Sequence, residues 1–517
     1  MDITTAKRQT EKKFVEQGAQ AMNMDIYMTI LKQLKAKSSK IETIGLNDKT
    51  IQKFLSNGNK QLASAIELAS KKVNEIEQEF PEVLKMPEKE QIAYLQADFV
   101  NFYLPETVNP YVALAACGPW IITTCGAVVH DSGGYGMLGA GHTPENVIDA
   151  MAEKQVMANI MTANFSQLRF TKKLKKEIGH TRQDKSNLFE KFICMNSGSE
   201  AVTVAARISD VLAKTMTDKN GKHEGKTVKA LAIKGGFHGR TDRPSQFSDS
   251  SMASYKKHLN TFSKMDNLVT IRPNNIEDLE NAFKQAEKDN VYFEAMLMEP
   301  VMGEGDPGMA VTPAFYRRAR ELTAEAGTLL VVDSIQAGLR TQGVLSIIDY
   351  PGFQELPCPD LETYSKALNA GQYPFSVLAL NNYAANLYVA GIYGNTMTTN
   401  PRALTVASTV LDSMTDSLRK NIRDKGQLFL DKLNELKAEF PKLITHVQGT
   451  GLLFSAEVAD GIKVVGFDGL EQIIRRNGVG VIHGGANSLR FTPHFAINDD
   501  EVDLVIDVLR DTFKAIN

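Results

Sequence analysis

Four short motifs in this 517-residue sequence combine residue types that could hold an anion, stack on a planar ring and form a covalent bond through an amine. Each motif adjoins a short apolar run that is typical of a buried β-strand. Ligands of open α/β sheets collect at the carboxyl ends of strands, so the motifs are candidates for one common site. They are Asn196-Ser197-Gly198-Ser199-Glu200-Ala201, Gly235-Gly236-Phe237-His238-Gly239-Arg240-Thr241, Val331-Val332-Asp333-Ser334-Ile335-Gln336 and Tyr364-Ser365-Lys366-Ala367-Leu368-Asn369-Ala370-Gly371.

The first motif has the composition of an anion site at the start of a helix. Ser197 and Ser199 supply hydroxyl groups, Gly198 allows close approach of the backbone, and a first helical turn leaves N–H groups free. The apolar residues that follow recur on one helical face, which predicts a helix directly behind the motif. A plain helix cap, in which Ser197 and Glu200 form a capping box, would explain the same residues.

The other three motifs each offer one further group, and each has an ordinary structural explanation. Asp333 ends an apolar strand, where a carboxylate needs a cation or strong donors such as a protonated ring nitrogen, although aspartate also caps helices. Lys366 lies in a turn of small residues and is a candidate Schiff-base amine, although most lysines are solvated surface residues. Phe237, among glycines, could stack on a planar ligand or belong to the core.

Together the four motifs offer a phosphate cradle, a stacking aromatic ring, an acid for a ring nitrogen and an amine. These are the groups that a protein must supply to hold pyridoxal 5′-phosphate (PLP) and to use its ring as an electron sink. Each motif by itself is ambiguous, but the combination predicts a PLP enzyme.

The segments between the motifs predict an α/β fold with a mostly parallel central sheet and helices on both faces. From about residue 190 to 381, short apolar runs alternate with helical patterns, and this order favours parallel pairing of the strands. One of the helices is predicted to begin at Pro313 with Thr312 as its N-cap. The apolar runs are Phe192–Met195, Lys229–Ile233, Ala295–Met298 and Leu329–Val332.

We expect three regions along the chain: a helical N-terminal extension over residues 1–104, a PLP-binding large domain over 105–400 and a small C-terminal domain over 401–517. The extension is rich in Lys, Gln, Glu and Ala, and apolar residues such as Ile66 and Val73 recur at helical spacing. It could be a small bundle or an arm that packs on a partner subunit. No functional motif falls within it.

The C-terminal region has a mixed pattern that predicts a smaller α+β domain. Two long helical patterns follow residue 402, and short strands are predicted over Gly451–Glu457 and Leu489–Thr492. A final helix is predicted to begin at about Asp499.

Composition and charge exclude several classes of function. Lys plus Arg number 58 and Asp plus Glu 61, so the formal charge of −3 provides no general attraction to nucleic acid or to an anionic membrane. The four cysteines are too scattered for a disulfide framework or a zinc finger, and the N-terminus lacks a signal-peptide pattern, so a cytoplasmic location is expected. The cysteines are Cys117, Cys125, Cys194 and Cys358.

One stretch, from Thr107 to Val129, has no charged side chain and nominally reaches the length of a membrane span. Gly118-Pro119 interrupts it centrally, and polar residues such as Asn109 and Thr123 dilute its hydrophobicity. We therefore expect two buried strands or a loop that lines the site, in a protein that does not enter the membrane.

From about residue 100 to its end, the sequence resembles the class III, fold-type I, PLP-dependent aminotransferases, in particular the ornithine, GABA and lysine ω-aminotransferase group. Six motifs carry the resemblance, and they occur in the order of the family. The resemblance implies the fold of that family as well as its chemistry. The motifs are Asn196–Ala201, Phe237–Thr241, Glu299–Gly305, Asp333–Gly338, Ser365–Leu368 and Leu489–Pro493.

The resemblance implies a role for each matching residue in holding PLP. Lys366 would form the Schiff base with the cofactor and move the proton during catalysis, and Asp333 would keep the pyridine nitrogen protonated. Gln336 would hydrogen-bond the ring hydroxyl oxygen, and Phe237 would stack on the ring. The residues implied for cofactor binding are Ser197, Gly198, Ser199, Phe237, His238, Glu299, Asp333, Gln336, Lys366 and Thr396.

The same resemblance implies a homodimer with shared sites. Thr396 resembles the threonine that reaches the phosphate of the other subunit's cofactor in that family. Three departures from the family pattern lie near the site: Ser334 in place of glutamate, Thr398-Thr399 in place of two glycines, and Ser376 where glycine is common. They leave the four cofactor-holding roles intact but leave the choice of substrate, and to a lesser degree the role of Thr396, open.

Arg240, Glu304 and Arg490 are the residues that the resemblance implies for substrate binding. A donor that presents a distal amine to PLP must place its carboxylate on a cation, and guanidinium binds carboxylate with two hydrogen bonds. Glu304 would pair with Arg490 while an ω-amino substrate is bound and would release it for glutamate or 2-oxoglutarate. Their combination favours transfer of an amino group from an ω-amino acid or a related amine to 2-oxoglutarate. No metal ion is expected at this site.

Other PLP chemistry on the same fold stays open at this point. An aminomutase, epimerase, decarboxylase or lyase would use the same cofactor-holding groups. A binding protein without catalysis is disfavoured because Lys366, Asp333 and Gln336 are all present. The sequence does not indicate the donor, which could be lysine, ornithine, GABA, a diamine or something bulkier, nor does it distinguish a dimer from a tetramer.

Overall fold

The computed structural model describes residues 24–516; the beginning of the predicted extension, residues 1–23, and residue 517 lie outside the described residues. In the described part of the chain, no helix is long and apolar enough to cross a membrane. The uncharged stretch from Thr107 to Val129 contributes instead to three short strands, one more than expected. They are β1 (Ala113–Cys117), β2 (Trp120–Thr123) and β3 (Val128–Asp131), and each pairs with the next in antiparallel fashion.

The described part of the N-terminal extension is helical, as the apolar spacing predicts. Between residues 24 and 95 the helices are α1 (24–35), α2 (Asp48–Ser56), α3 (Lys60–Glu79), α4 (Pro81–Lys85) and α5 (Glu88–Leu95). The side chain of Asn59 caps α3 by accepting a hydrogen bond from the backbone N–H of Leu62. The apolar face of α3, which includes Ile66 and Val73, is buried against β1 and β2. The extension therefore shares a hydrophobic core with the rest of the chain.

A seven-stranded sheet forms the centre of the molecule, in the spatial order β4-β10-β9-β8-β7-β5-β6. Four of the six neighbouring pairs are parallel, and β10 runs antiparallel to both its neighbours. This arrangement confirms the mostly parallel sheet that the sequence predicts. The strands are β4 (Lys191–Met195), β5 (Thr227–Ile233), β6 (Leu268–Ile271), β7 (Val291–Met298), β8 (Leu329–Asp333), β9 (Leu361–Tyr364) and β10 (Ser376–Leu380).

Helices cover both faces of this sheet because alternate residues of each strand point to opposite faces. In β7, Met296 belongs to the same buried cluster as Phe315 of α12 (Pro313–Ala326). Its neighbour Leu297 belongs to a second cluster with Val204 of α8 (Gly198–Thr217). Helix α12 begins where predicted, since the hydroxyl of Thr312 accepts a hydrogen bond from the N–H of Phe315.

The carboxyl ends of all the strands except β10 meet at one edge of the sheet, and each candidate motif lies at such an end. The topology therefore places the four motifs next to one another. The remaining described helices of this region are α6 (Glu145–Ala152), α7 (Phe165–Glu177), α9 (Asp242–Phe247), α10 (Asp249–His258), α11 (Ile276–Lys288) and α13 (Asn382–Leu387).

The C-terminal region mixes helices with short strands, as its pattern predicts. Its helices are α14 (Pro401–Ser413), α15 (Asp416–Glu439), α16 (Leu470–Arg476) and α17 (Asp499–Ile516). An antiparallel sheet contains, in spatial order, β11 (Ile444–Thr450), β12 (Leu453–Val458), β15 (Ser488–Phe491) and β14 (Ile482–Gly484). Strand β13 (Val479–Gly480) pairs with β3 instead and so links the C-terminal region to the β1–β3 sheet. The domain boundaries after residues 104 and 400 stay predictions.

Replacing Ile66 with alanine tests how strongly the extension stabilises the fold. Ile66 is fully buried in the cluster shared by α3, β1 and β2, so we expect the free energy of unfolding to fall by about 2–4 kcal/mol. The matched variant Ile44→Ala, at a side chain that is 69% exposed, should change it by less than about 0.5 kcal/mol. Urea unfolding measures both. Equal effects of the two variants would contradict the packing of α3 described above.

Candidate active site

A cavity of about 910 Å³ lies at the edge where the carboxyl ends of the strands meet. Every candidate site residue except Thr396 lines its wall. The fold therefore brings together motifs that are spread over almost three hundred residues of sequence. The candidates in the wall are Ser197, Gly198, Ser199, Phe237, His238, Arg240, Glu299, Glu304, Asp333, Gln336, Lys366 and Arg490.

The start of helix α8 has the geometry of an anion site and of a helix cap at the same time. Oγ of Ser197 accepts a hydrogen bond from N–H of Glu200 at 3.2 Å, and a Glu200 carboxylate oxygen accepts one from N–H of Ser197 at 3.0 Å. This capping box leaves the backbone N–H groups of Gly198 and Ser199 without an acceptor among the described residues. Free N–H groups at the positive end of a 20-residue helix attract a phosphate.

Gly239 lies against this helix start. It has φ +118°, and a Cβ there would lie 2.6 Å from Oγ of Ser199 and 3.0 Å from Cβ of Pro244. Any larger residue would push into the hydroxyl that faces the cavity. The glycine after His238 is therefore required by this close approach.

Lys366 follows β9 and reaches into the cavity, which rules out the surface lysine that its sequence context also allowed. Its Nζ donates a hydrogen bond of 2.5 Å to Oε1 of Gln336. Its backbone has φ +46°, a left-handed conformation that is uncommon for residues other than glycine and is concentrated at functional sites. Burial, and then the positive charge of Arg490, lower the pKa of Lys366 to about 8. An amine with this pKa is partly neutral near pH 7 and can act as a nucleophile or a base.

Asp333, at the end of β8, is buried and shares a hydrogen bond with His238. Nδ1 of His238 lies 2.9 Å from one carboxylate oxygen, and the hydroxyl of Thr363 donates to the other at 3.0 Å. The second oxygen also accepts a 3.2 Å hydrogen bond from N–H of Ile335, so the capping explanation is partly correct. Burial disfavours a charge on His238, but the hydrogen bond and the charge of Asp333 outweigh it and raise the pKa of His238.

Glu299 positions two backbone segments of the cavity wall. One of its oxygens accepts a hydrogen bond from N–H of Phe237 at 3.1 Å, and the other accepts one from N–H of Gly303 at 2.8 Å. Burial raises the pKa of Glu299 to about 7, although the nearby His238 opposes the shift. Since both oxygens are already used, the geometry favours a supporting role for this residue.

The groups in the wall match the parts of PLP. Nε2 of Gln336 and Nε2 of His238 are buried without a hydrogen-bond partner among the described residues. The free N–H groups of Gly198 and Ser199 suit a phosphate, and the ring of Phe237 offers a face to a planar ligand. With the amine of Lys366 at the same cavity, the residues present fit this cofactor.

Two arginines and a glutamate form the part of the wall that the sequence assigns to substrate. Nη2 of Arg240 lies 3.4 Å from Oε1 of Glu304, and its guanidinium stacks on the ring of Phe237 at 5.2 Å. Arg490 donates from Nη1 to the carbonyl oxygen of Gly303 at 2.6 Å, and its Nε has no partner among the described residues. Burial lowers the pKa of Arg490 despite the nearby charge of Glu304. Glu304 thus pairs with Arg240, and no ion pair within 4.0 Å joins it to Arg490 in the part of the chain that the structure describes.

Thr396 does not line the cavity of its own chain. Its side chain is exposed, and its carbonyl oxygen accepts a hydrogen bond from Nδ2 of Asn159 at 3.1 Å. This position agrees with a role across a subunit interface, which stays a prediction.

Two of the departures from the family pattern support neighbouring groups. The hydroxyl of Ser334 donates a 2.5 Å hydrogen bond to the buried carboxylate of Glu362 in β9. The hydroxyl of Ser376 donates at 2.6 Å to the carbonyl oxygen of Ser197, beside the anion site. Both hydroxyls therefore satisfy buried acceptors, and that of Ser376, where a glycine would have no donor, holds the start of α8 in place.

The extension, in which no functional motif falls, supplies part of the cavity wall. Phe102 and Tyr103, which follow helix α5, are 76% and 48% exposed, and exposed apolar side chains next to one another are typical of a binding surface. The adjacent aromatic residues at positions 102 and 103 are the sequence feature that could have marked this segment as part of the site. The lining residues from this region are Ile92, Leu95, Gln96, Asn101, Phe102, Tyr103 and Leu104.

A second set of cavity-lining side chains that no sequence motif marks comes from α16 and β14. The fully buried Glu471 forms an ion pair with Arg475, and its other oxygen lies 2.9 Å from Nδ1 of His483. All three residues line the cavity. No motif marked them, because they meet only after the C-terminal region has folded.

Comparison with known proteins agrees with this geometry. The family model described as aminotransferase class-III matches residues 105–513. An ornithine aminotransferase of Staphylococcus saprophyticus is 28% identical over 386 residues, which cover 74% of this chain and 89% of that protein. An acetylornithine aminotransferase of Clostridium acetobutylicum is 28% identical over 64% of this chain and 79% of its own length.

Solved structures share the fold. The crystal structure of ornithine aminotransferase from Toxoplasma gondii superposes with a TM-score of 0.70 at 24% identity, over 85% of this chain and 98% of that one. Acetylornithine aminotransferase from Elizabethkingia anophelis has a TM-score of 0.65 at 21% identity, over 83% and 99% of the two chains. At 24% and 21% sequence identity, these superpositions establish the fold of the chain and nothing about its substrates.

Substituting Arg490 tests the electrostatic control of Lys366. Since the positive charge of Arg490 lowers the pKa of Lys366, Arg490→Met should raise that pKa above about 8. A larger fraction of the amine is then protonated at pH 7, so covalent attachment of PLP to the cofactor-free protein should become several-fold slower at pH 7 and nearly unchanged at pH 10. Borohydride fixation followed by mass spectrometry measures attachment.

Two controls complete this experiment. Arg243→Met removes an arginine that pairs with Glu294 and does not line the cavity, so it should leave the pH profile unchanged. Lys366→Ala should bind PLP without any fixed attachment. A profile that does not move in Arg490→Met, or attachment in Lys366→Ala, would contradict the assignment.

Proposed function

We propose an ω-amino acid or a related amine as the donor, and 2-oxoglutarate as the acceptor, for this chain, which belongs to the class-III aminotransferase family. The family match confirms the resemblance, and with it the prediction of a PLP-dependent aminotransferase of fold type I. The substrates and the role of each residue are proposed from the geometry of the cavity.

The observation that carries the proposal is the pair of arginines in the cavity that holds Lys366. A donor that offers its distal amine to the cofactor extends its carboxylate away from the reacting end, where guanidinium groups can bind it. The ion pair between Arg240 and Glu304 is half exposed and long, at 3.4 Å, so a carboxylate can displace Glu304 at little cost. Arg490 has no ion pair among the described residues and is open to the α-carboxylate of a 2-oxo acid.

The names of relatives support the same class of donor. The curated relatives are called ornithine and acetylornithine aminotransferases, and both names denote amino acids that carry a nitrogen at the far end of the side chain. At 28% identity, these relatives support a class of donor rather than one compound. The extra wall from Phe102 and Tyr103 would then select among donors by size.

Each residue has a separate task in the proposed reaction. Bound PLP supplies a conjugated ring that accepts the electron pair released at the substrate carbon. The N–H groups at the start of α8 bind its phosphate, and Phe237 orients the ring. Asp333, held by His238, keeps a proton on the ring nitrogen. Nζ of Lys366 accepts and returns the proton of the substrate carbon, for which a pKa of about 8 is suitable.

We also propose that the working unit is a homodimer. Two described segments expose large apolar side chains that a monomer would leave in water, which is typical of an interaction surface. A second copy would cover them and bring Thr396 to the partner's cofactor phosphate. The exposed residues are Phe99, Val100, Phe102, Tyr103 and Leu104 in the first segment, and Val156, Met157, Ile160, Met161 and Phe165 in the second.

Separating the two half-reactions tests the substrates. Arg490→Ala should slow the 2-oxoglutarate half-reaction by on the order of 100-fold and the ω-amine half-reaction by less than about tenfold, because only the former needs this guanidinium. Stopped-flow absorbance of the pyridoxal and pyridoxamine forms measures both steps. Arg490→Lys keeps the charge but loses the bidentate geometry of guanidinium, so its rate in the 2-oxoglutarate half-reaction should lie between those of the wild type and Arg490→Ala.

Three outcomes would contradict the proposal. Equal losses in both half-reactions would remove the role of Arg490. A wild-type enzyme that never forms the pyridoxamine form with ω-amines would favour an epimerase or a lyase. Formation of that form with α-amino acids only would refute the ω-amino donor.

Substituting Thr396 tests the shared site. Thr396→Ala should raise the dissociation constant of PLP several-fold, because a phosphate contact from the partner is lost. Mass measurement in solution should still find a dimer. Thr445→Ala, at an exposed hydroxyl in β11, is the matched control and should not change PLP binding. A monomer with full affinity, or equal effects of both variants, would disprove the shared site.

A further inference from the structure

Outside the cavity, three side chains of metal-binding type meet in the interior. His130 lies in β3, His494 lies in the loop after β15, and Glu501 lies in the first turn of α17. All three are buried, with exposed fractions between 0 and 6%, and their ligand-type atoms lie within 4.8 Å of one another. They take no part in the aminotransferase site.

The carboxylate of Glu501 lies between the two imidazoles. One of its oxygens is 3.2 Å from Nε2 of His494, and the other is 3.9 Å from Nε2 of His130. Zinc bonds to imidazole nitrogen and to carboxylate oxygen are each about 2.0–2.2 Å long. Two ligand atoms 3.9 Å apart can therefore both reach one ion placed between them.

Of the two imidazoles, His494 has a hydrogen-bond partner for its Nε2, the carboxylate of Glu501, whereas His130 does not. Nδ1 of His130 lies 3.1 Å from the hydroxyl of Ser132, whereas its Nε2 is buried without a partner among the described residues. If Nδ1 carries the proton, the Nε2 lone pair faces the carboxylate; if Nε2 carries it, 3.9 Å is too long for a hydrogen bond. A buried polar atom without a partner calls for an explanation such as an ion.

The charge of Glu501 also lacks a permanent counter-charge. Within 4.0 Å it has ion-pair contacts with the two histidines, and in the described residues no lysine or arginine reaches it. A buried carboxylate without a cation is costly. A divalent cation would balance this charge and satisfy Nε2 of His130 at the same time.

The surrounding residues already hold the three ligands in place. The ring of Trp120 packs edge-on against His130, with the ring centroids 5.0 Å apart. Asn498 fixes Glu501 through two hydrogen bonds of 3.0 Å, one from N–H of Asn498 to the carboxylate and one from N–H of Glu501 to the Asn498 side chain. Such outer contacts orient the ligands of metal sites.

We propose that His130, His494 and Glu501 form a structural site for a divalent transition-metal ion, with Zn²⁺ the ion best suited to two imidazoles and one carboxylate. A water molecule would complete four-coordination. The ion would join β3, the loop after β15 and α17. Ser132, two residues after His130, donates a backbone hydrogen bond to Gly480 and accepts one from Thr492, so the site would also fix the segment that leads to Tyr135 in the cavity wall.

Metal content and thermal stability of the wild-type, PLP-loaded enzyme test the site. After exposure to micromolar Zn²⁺ and removal of loose metal on a weak chelating resin, about one Zn²⁺ per chain should remain. Stripping with a strong chelator should lower Tm by a few degrees, and Zn²⁺ but not Mg²⁺ should restore it. X-ray absorption should report nitrogen and oxygen ligands at about 2.0–2.1 Å, without sulfur.

Variants assign the metal to these residues. Glu501→Gln and His130→Asn should each retain less than about a fifth of the wild-type zinc, since either removes one of three protein ligands. His223→Gln is the matched control, because His223 is partly buried but bonds to the carbonyl oxygen of Ala326, far from the cluster in the fold, and should retain zinc fully.

Three results would overturn the proposal. The first is wild-type enzyme that retains essentially no zinc, with a Tm that does not respond to it. The second is equal zinc retention in Glu501→Gln, His130→Asn and the wild type. The third is a sulfur-containing ligand sphere, which would assign the metal to cysteine. If the variants fail to fold, the wild-type stoichiometry and absorption data decide the question.

Discussion

The active site is organised around a buried acid, Asp333, whose carboxylate must be paired in a place that solvent scarcely reaches. The parallel sheet delivers this acid at the end of β8, and its partners come from two other strands of the sheet: Thr363 in the adjacent β9, and His238 after β5, two strands away on the other side. An unpaired carboxylate at this depth would cost several kcal/mol, so the acid, the imidazole and the hydroxyl stabilise the same arrangement that a protonated ring nitrogen requires. Binding of the cofactor would complete a charge network that the fold has already built.

The same low-dielectric surroundings connect substrate recognition with the chemistry of the amine. The charge of Arg490, the residue proposed to bind the substrate carboxylate, lowers the pKa of Lys366, whereas the charge of Glu304 raises it. Movement of Glu304 between its partners would therefore change both which substrate is held and how basic the lysine is. This coupling arises because the three side chains line the same cavity, where charges interact more strongly than they do in water.

The motifs could be found in the sequence because each depends on local chemistry: a capping box at Ser197, an acid closing an apolar strand at Asp333, a lysine in a turn of small residues. The partners of these residues were less accessible. The ion pair of Glu304 with Arg240 depends on how two loops lie against each other, and no motif marks it. The pairing with Arg490 that the resemblance implies belongs to the enzyme with an ω-amino substrate bound, and it stays a prediction. The serines at 334 and 376 looked like departures, and their hydroxyls satisfy two acceptors from distant parts of the chain: Glu362 in β9 and the carbonyl of Ser197 at the start of α8.

What the sequence by itself determined is the set of elements and the ends where their polar residues lie, since helix caps and the alternation of apolar residues act over a few positions. That is enough to predict a mostly parallel sheet with its cofactor residues on one edge. Only the tertiary structure decided which distant residues come together. The extension supplies part of the cavity wall, Glu471 meets Arg475 and His483 at the same wall, and His130 meets His494 and Glu501 from opposite halves of the chain. Such contacts arise from the packing of whole elements, and no local spacing encodes them.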